Sequence, residues 1–309
     1  MFESIVDALY KIFEDCALCP RQCHVNRRVG QLGYCNAGSN LKVAKVISHF
    51  GEEPAISGNQ GSGAIFFSHC NLRCSFCQNY QISQLGMGEG MSPEELANKM
   101  LSLQDSGCHN INLVTPTPYL PHIVKAVSTA KADGLRIPIV YNTNGYEKVE
   151  ILKLLEGIVD IYLTDAKYGS NKAASSYSRV ENYLEHNISA LKEMKRQVGN
   201  LKLNNMDIGK KGIIVRHLIL PGNGAESFSL LDMVARELGT DIYISLMGQY
   251  FPRYKALDSE DLGRRLTNEE FEGYHCALES RGFENGWIQY PDHVDGGFLP
   301  DFQVKDGWN

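Results

Sequence analysis

The sequence predicts an α/β fold built on a parallel sheet, with its chemistry gathered at the carboxyl ends of the strands. Six short apolar, β-prone runs recur at "AIFF" (64–67), "INLV" (111–114), "IPIVY" (137–141), "IYLT" (161–164), "IIVRHLI" (213–219) and "IYISL" (242–246). Stretches with helical spacing separate them, and strands alternating with helices imply βαβ units. The chemically unusual residues follow the strand ends: "SHCNLRC", "TPTP", "NTNG", "DAK" and "MGQYFPR". A doubly wound sheet would gather them around one switch point. A parallel barrel brings all the carboxyl ends to one rim, so chemistry at nearly every end favours the barrel.

Taken in order, "MFESIVDALYKIFEDC" sets Glu3, Asp7, Lys11, Glu14 and Asp15 between apolar residues, the pattern of an amphipathic helix. It lacks the basic and apolar regions of a secretory signal. No stretch approaches the roughly 18 apolar residues of a membrane helix, so a cytoplasmic protein without membrane partners is expected. A Gly-, Cys- and Arg-rich segment to about Gly38 reads as a small knot with no core of its own, in need of a staple. "GEEPAISGNQGSG" (51–63) leads into the first strand; Glu52 and Glu53 either face a substrate or are exposed loop acids.

"SPEELANKMLSL" opens on Ser92 with Glu95 in the capping-box position. "LPHIVKAVSTAKA", "EKVEILKLLE", "VENYLEHNISALKEMKR" and "ESFSLLDMVAREL" follow with helical spacing. The polar segment 197–212 reads as an exposed excursion, and the tail from Trp287 has no readable pattern. The expected organisation is a helix and Cys-rich metal-binding segment over 1–50, a barrel over 51–260, and a C-terminal helix and irregular tail over 261–309. With 36 acidic against 30 basic residues the chain lacks the footprint of a nucleic-acid binder.

Nine cysteines in a reducing compartment call for an explanation other than disulfides. Cys108 and Cys276 read as buried small hydrophobes. The other seven form two clusters, which points to metal. Cys70, Cys74 and Cys77 are spaced C-x3-C-x2-C. Structural zinc takes four ligands, and catalytic zinc with three usually includes His; His69 is adjacent to Cys70, and adjacent residues rarely reach one metal. Iron–sulfur clusters are held by thiolates at short spacings. Three thiolates on a four-iron cubane leave one iron open, the mark of a reactive centre. Cys16, Cys19, Cys23 and Cys35, spaced C-x2-C-x3-C-x11-C, close a site completely and suit either zinc or an auxiliary 4Fe–4S cluster. Arg21, His24, Arg27 and Arg28 surround them as a solvated basic face or a dock for an acidic electron donor.

C-x3-C-x2-C after a first strand, with Phe76 before the last cysteine, resembles the radical S-adenosylmethionine (radical SAM) superfamily. The resemblance implies a partial (β/α)6 TIM-like barrel with a small N-terminal Cys-rich metal-binding appendage. It also implies a 4Fe–4S cluster on Cys70, Cys74 and Cys77 that binds SAM and cleaves it reductively to a 5′-deoxyadenosyl radical. The wider chain is similar to the pyruvate formate-lyase activating enzymes, and most of all to their PflX-type relatives. By that resemblance Phe76, Met247 and Gln249 lie against the adenine, and Asn142, Thr143 and Asn144 of "YNTNG" near the ribose and methionyl end. Asp165 and Lys167 of "DAK" and Arg216 of "VRHLILPG" lie at the SAM carboxylate. Thr115 and Thr117 stand where the family usually has G-G-E, and Asn142 where it usually has Asp. The implied partners are reduced flavodoxin or ferredoxin and a glycyl radical enzyme, or instead a small-molecule substrate. The reading from another class is a non-catalytic metal-binding or electron-transfer iron–sulfur protein.

Overall fold

The computed structural model describes residues 2–291 and Phe302. The chain opens with α1 (Phe2–Ile12), then β1 (Lys42–His49), the one-turn α2 (Pro54–Ser57) and β2 (Ser62–Phe67). After α3 (Tyr80–Ser83) and β3 (Glu89–Gly90) come α4 (Pro93–Asp105), β4 (Ile111–Val114), α5 (Leu120–Ala132), β5 (Ile139–Thr143), α6 (Val149–Leu154) and β6 (Ile161–Asp165). The remainder comprises α7 (Asn171–Ser178), α8 (Tyr183–Val198), β7 (Lys202–Leu203), β8 (Gly209–Leu218), α9 (Ser227–Leu238), β9 (Tyr243–Met247), α10 (Asn268–Ser280) and β10 (Gly286–Gln289).

The strands form one sheet in the order β10-β9-β8-β6-β5-β4-β2-β1-β3, with β7 attached to β8. From β2 to β10 neighbouring strands are parallel and follow chain order. That order never reverses, so there is no switch point of the doubly wound kind. The fold is an open, parallel-dominated sheet, a partial barrel. The six predicted runs are β2, β4, β5, β6, β8 and β9. Besides the two-residue β3 and β7, two strands escaped the periodicity: β1, antiparallel to β2, and β10, parallel to β9. The first lies within the stretch assigned to the appendage, and the second within the supposed irregular tail.

Strand alternation sorts side chains between two faces. Ile65, Ile111, Leu113, Ile139 and Val215 pack outward against Met100, Ile123, Leu152, Leu191 and Leu230 of the helices. Val140, Ile161, Leu163 and Ile214 face inward and meet Ala55 and Ile56 of α2. Burying each large aliphatic side chain stabilises by about 1.5–3 kcal/mol, enough to hold α2 as a plug across the inner face. The plug carries Glu52 and Glu53, the two residues before it, inside the sheet. Helix α4 has the predicted capping box: Glu95 N donates to Ser92 Oγ (3.1 Å), and Ser92 N to Glu95 Oε2 (2.7 Å).

Three expectations are corrected. The segment 197–212 is not simply an excursion, because β7 pairs with the start of β8. Cys276 is exposed, since α10 buries Phe271, Tyr274, Ala277 and Leu278 on its other side. Arg27 does not belong to a basic surface. It is 1% exposed, donates through Nε and Nη2 to Gly38 O (3.2 and 2.6 Å) and lies 3.8 Å over the Phe13 ring. The Cys-rich knot also sends Leu18, Ala37 and Leu41 into the main core.

Candidate active site

Beyond β2 the chain crosses the rim, and Cys70, Cys74 and Cys77 line one side of a cavity of about 550 Å³. Each sulfur has a polar neighbour. Asn144 Nδ2 donates to Cys70 Sγ (3.3 Å), Ser178 Oγ to Cys74 Sγ (2.9 Å), and Ser83 Oγ lies 3.1 Å from Cys77 Sγ. Burial pushes the Cys70 thiol up to about 12 and the Cys77 thiol up to about 11, with Cys74 adding to both. Bare, the Cys70 and Cys77 thiols resist ionisation, whereas a cationic metal centre releases their protons and accepts the thiolates. Donors aimed at sulfur are the usual outer support of such a centre. Among the described residues no three His, Cys, Asp or Glu side chains are drawn together as for a single ion; a cubane takes each thiolate on a separate iron. The donor set fits a cluster. His69 does not line the cavity: its ring packs at Gly86, where an added Cβ would meet it.

The opposite wall comes from the strand ends. Asp165 of β6 and Arg216 of β8 are register partners, as are Arg216 and Ser245 of β9. Arg216 donates to Asp165 Oδ1 (Nε, 3.0 Å), Glu52 Oε2 (Nη1, 3.2 Å) and Asn142 Oδ1 (Nη2, 2.6 Å). Lys167 Nζ donates to Asp165 Oδ2 at 2.6 Å. Asn112 Nδ2 donates to Glu52 Oε1 at 2.9 Å. Burial works to raise the Asp165 carboxyl, but Lys167 and Arg216 outweigh it and hold the group below the usual range. Glu52 goes the other way: burial raises it more than Arg216 and Asn112 lower it.

Phe76, Thr115, Asn142, Thr143, Asn144, Asp165, Lys167, Arg216, Met247 and Gln249 line this one cavity with the three cysteines. Thr115 does so with φ +59°. Thr117 is not among the lining residues. It donates to Glu147 Oε1 at 2.6 Å, as Thr143 does at 2.5 Å, and burial pushes the Glu147 carboxyl up to about 7.

Several supporting residues were missed by sequence reasoning. Tyr183 and Asn187, one turn apart on α8, tie two strand ends together. The Tyr183 hydroxyl donates to Asn144 O (2.9 Å), and Asn187 Nδ2 to Gly145 O (3.1 Å) and Asp165 O (3.0 Å). Gly145 (φ +73°) allows that approach, because a Cβ there would collide with Asn187 and the Asp165 carbonyl. The readable signal was Asn187 at an apolar position of an amphipathic helix.

Cys16, Cys19, Cys23 and Cys35 line a second, smaller pocket together with Asn71 and Thr117. Burial raises the Cys19 and Cys35 thiols, and Tyr34 N donates to Cys23 Sγ at 3.2 Å. Asn71 joins the two regions, since its Oδ1 accepts from Asn144 Nδ2 at 2.7 Å. Arg21, expected on a solvated face, donates to Asn71 O (3.1 Å) and Arg179 O (2.8 Å).

The chain is similar to several known proteins. Residues 64–228 match the sequence model of the radical SAM superfamily. The uncharacterized protein MJ0674 of Methanocaldococcus jannaschii is 33% identical over 277 residues, covering 86% of this chain and 75% of the relative. MJ0808 of the same organism is 26% identical over 157 residues, or 45% and 46% of the two chains. Among solved structures, HydG, a maturase of the FeFe-hydrogenase, superposes with a TM-score of 0.49 at 15% identity over 72% of this chain. This chain spans about half (49%) of that maturase. No helix among the described residues is long and apolar enough to cross a membrane. With the family match covering more than half of its 309 residues, the chain belongs to the radical SAM superfamily.

Proposed function

We propose that this chain is a radical SAM enzyme that abstracts hydrogen from a substrate C–H, with a glycine Cα–H of a partner protein as the favoured target. The observation carrying the reading is the convergence of three sulfur-supported thiols and ten rim residues on one cavity. Held by Cys70, Cys74 and Cys77, a reduced 4Fe–4S cluster would supply the electron that splits the SAM sulfonium bond into methionine and a 5′-deoxyadenosyl radical. The protein's own work is positioning and water exclusion. Asn144 orients Cys70. Arg216 and Lys167, fixed on Asp165, present positive charge to the SAM carboxylate. Phe76, Met247 and Gln249 hold the adenine, and Asn142 and Thr143 the ribose and methionyl end. Thr115 supplies a hydroxyl where relatives have a carboxylate. Thr117 acts one layer behind, through Glu147.

The four N-terminal cysteines hold zinc or a second cluster, which braces the triad loop through Asn71. The electron comes from a reduced flavodoxin or ferredoxin in the cytoplasm. The test is anaerobic incubation of reconstituted protein with candidate partners deuterated at glycine Cα. Deuterium entering 5′-deoxyadenosine supports the reading. Product formed without label from a glycyl partner, but labelled from a deuterated small molecule, moves the target to that small molecule.

A further inference from the structure

Glu53 has no task in the reaction proposed above. It is 1% exposed, lines the cavity, and its Oε2 has no hydrogen-bond partner. Such an atom is costly to bury. Ser245 lies beside it, with Arg216 and Glu52 near enough to act on its charge. Near this floor Asn112 Oδ1 and Gln249 Oε1, both acceptors, also lack a partner, and the Ser245 hydroxyl can donate to one oxygen of Glu53 only. The cationic and amide donors of this wall give their hydrogen bonds to groups other than Glu53. Arg216 gives to Asp165, Glu52 and Asn142, Lys167 to Asp165, and the amides of Asn112 and Gln249 to Glu52 and Gln289. Of the three carboxyl groups on this wall (Glu52, Glu53, Asp165), Glu53 is the one to which neither Arg216 nor Lys167 donates.

A carboxylate that neither cation bonds, beside a free amide oxygen, is complementary to a ligand that brings N–H donors and positive charge. A carboxylate or phosphate would meet Glu53 with like charge. Phe50 and Phe66, which also line the cavity, offer aromatic surface to the stem of such a group. We propose that Glu53 recognises a substrate carrying an organic cation, a primary ammonium or a guanidinium, seated on the floor of the cavity. The inference rests on the radical SAM reading of this cavity and names the chemistry that its substrate must bring. That group can belong to a small molecule or to a side chain near a target glycine.

The test is binding to the anaerobically reconstituted, SAM-loaded protein under non-reducing conditions, followed by ligand-observed NMR. The probes are n-butylammonium and methylguanidinium against neutral butyramide, and acetyl-Gly-Arg-amide against acetyl-Gly-Gln-amide. Each cation should bind about tenfold or more tightly than its neutral counterpart, and Glu53→Gln should erase the difference while leaving SAM affinity unchanged. Preference for the free cations points to a small-molecule source, and preference for the arginyl peptide to a protein source. Equal affinity of cations and neutral probes overturns the proposal and requires no variant to fold. A Glu53→Gln protein that loses SAM instead also overturns it, making Glu53 a ribose contact. Binding here does not require reduction, so absence of SAM cleavage on later reduction would count against the proposed reaction and not against the cation site.

Discussion

Replacing Arg216 by methionine removes a buried guanidinium that contacts two carboxylates and an amide, at 3.0 Å from Asp165, 3.2 Å from Glu52 and 2.6 Å from Asn142. At an effective dielectric of about 20, each of the two charge pairs contributes about 5 kcal/mol of attraction. Desolvation of the three charges offsets much of that. Asp165 keeps Lys167 in the variant, but Glu52 keeps only its amide neighbours. Leaving one carboxylate buried without its cation costs about 3–5 kcal/mol.

The loss carries a pH signature. Without Arg216 the Glu52 carboxyl, already raised by burial, rises further above its unfolded value near 4.3. The folded state then binds the proton more tightly than the unfolded state, so stability falls as pH rises through that window. The deficit of Arg216→Met relative to wild type should therefore shrink between pH 8 and pH 5. Arg216→Lys, which keeps the charge but not the planar fork, should lose about 1–2 kcal/mol. Urea unfolding of the metal-free chain at several pH values is the assay. A deficit below about 1 kcal/mol at pH 8, or one that does not change with pH, would refute the buried ion-pair account.

Asn144→Ala removes the donor to Cys70 Sγ and should shift the cluster potential to more negative values in an EPR-monitored redox titration; an unchanged potential would contradict its assigned role. Cys19→Ser should empty the N-terminal site and leave iron at the middle triad, as read by plasma mass spectrometry per chain; loss of both metals together would contradict two separate sites. Ser92→Ala removes a capping box remote from the cavity and should cost about 1 kcal/mol in urea unfolding without altering SAM cleavage.

The legible part of the fold was its interior. The strands between β2 and β9 are apolar enough that period and composition identify them, and their chemical residues sit at the ends where a shared rim collects them. What escaped depended on partners distant in sequence. Val43, Val46 and Ile47 of "KVAKVISH" are β-prone but show no clean alternation, and pairing with β2 makes the segment a sheet strand. The "GEEP" acids could equally have been loop residues, and only packing of Ala55 and Ile56 against the inner face turns Glu52 into a partner of an arginine 164 positions away. Arg27 shows the reverse error. A positive residue among cysteines looked like surface, yet the Gly38 carbonyl and the Phe13 ring bury it.

The most direct measurement is EPR of the anaerobically reconstituted, dithionite-reduced protein with and without SAM, followed by assay of 5′-deoxyadenosine. The proposed reaction requires a reduced 4Fe–4S signal that changes when SAM is added, with nucleoside released by wild type and not by Cys74→Ala. A wild-type signal indifferent to SAM, with no 5′-deoxyadenosine formed, would contradict it and leave an iron–sulfur protein without radical chemistry.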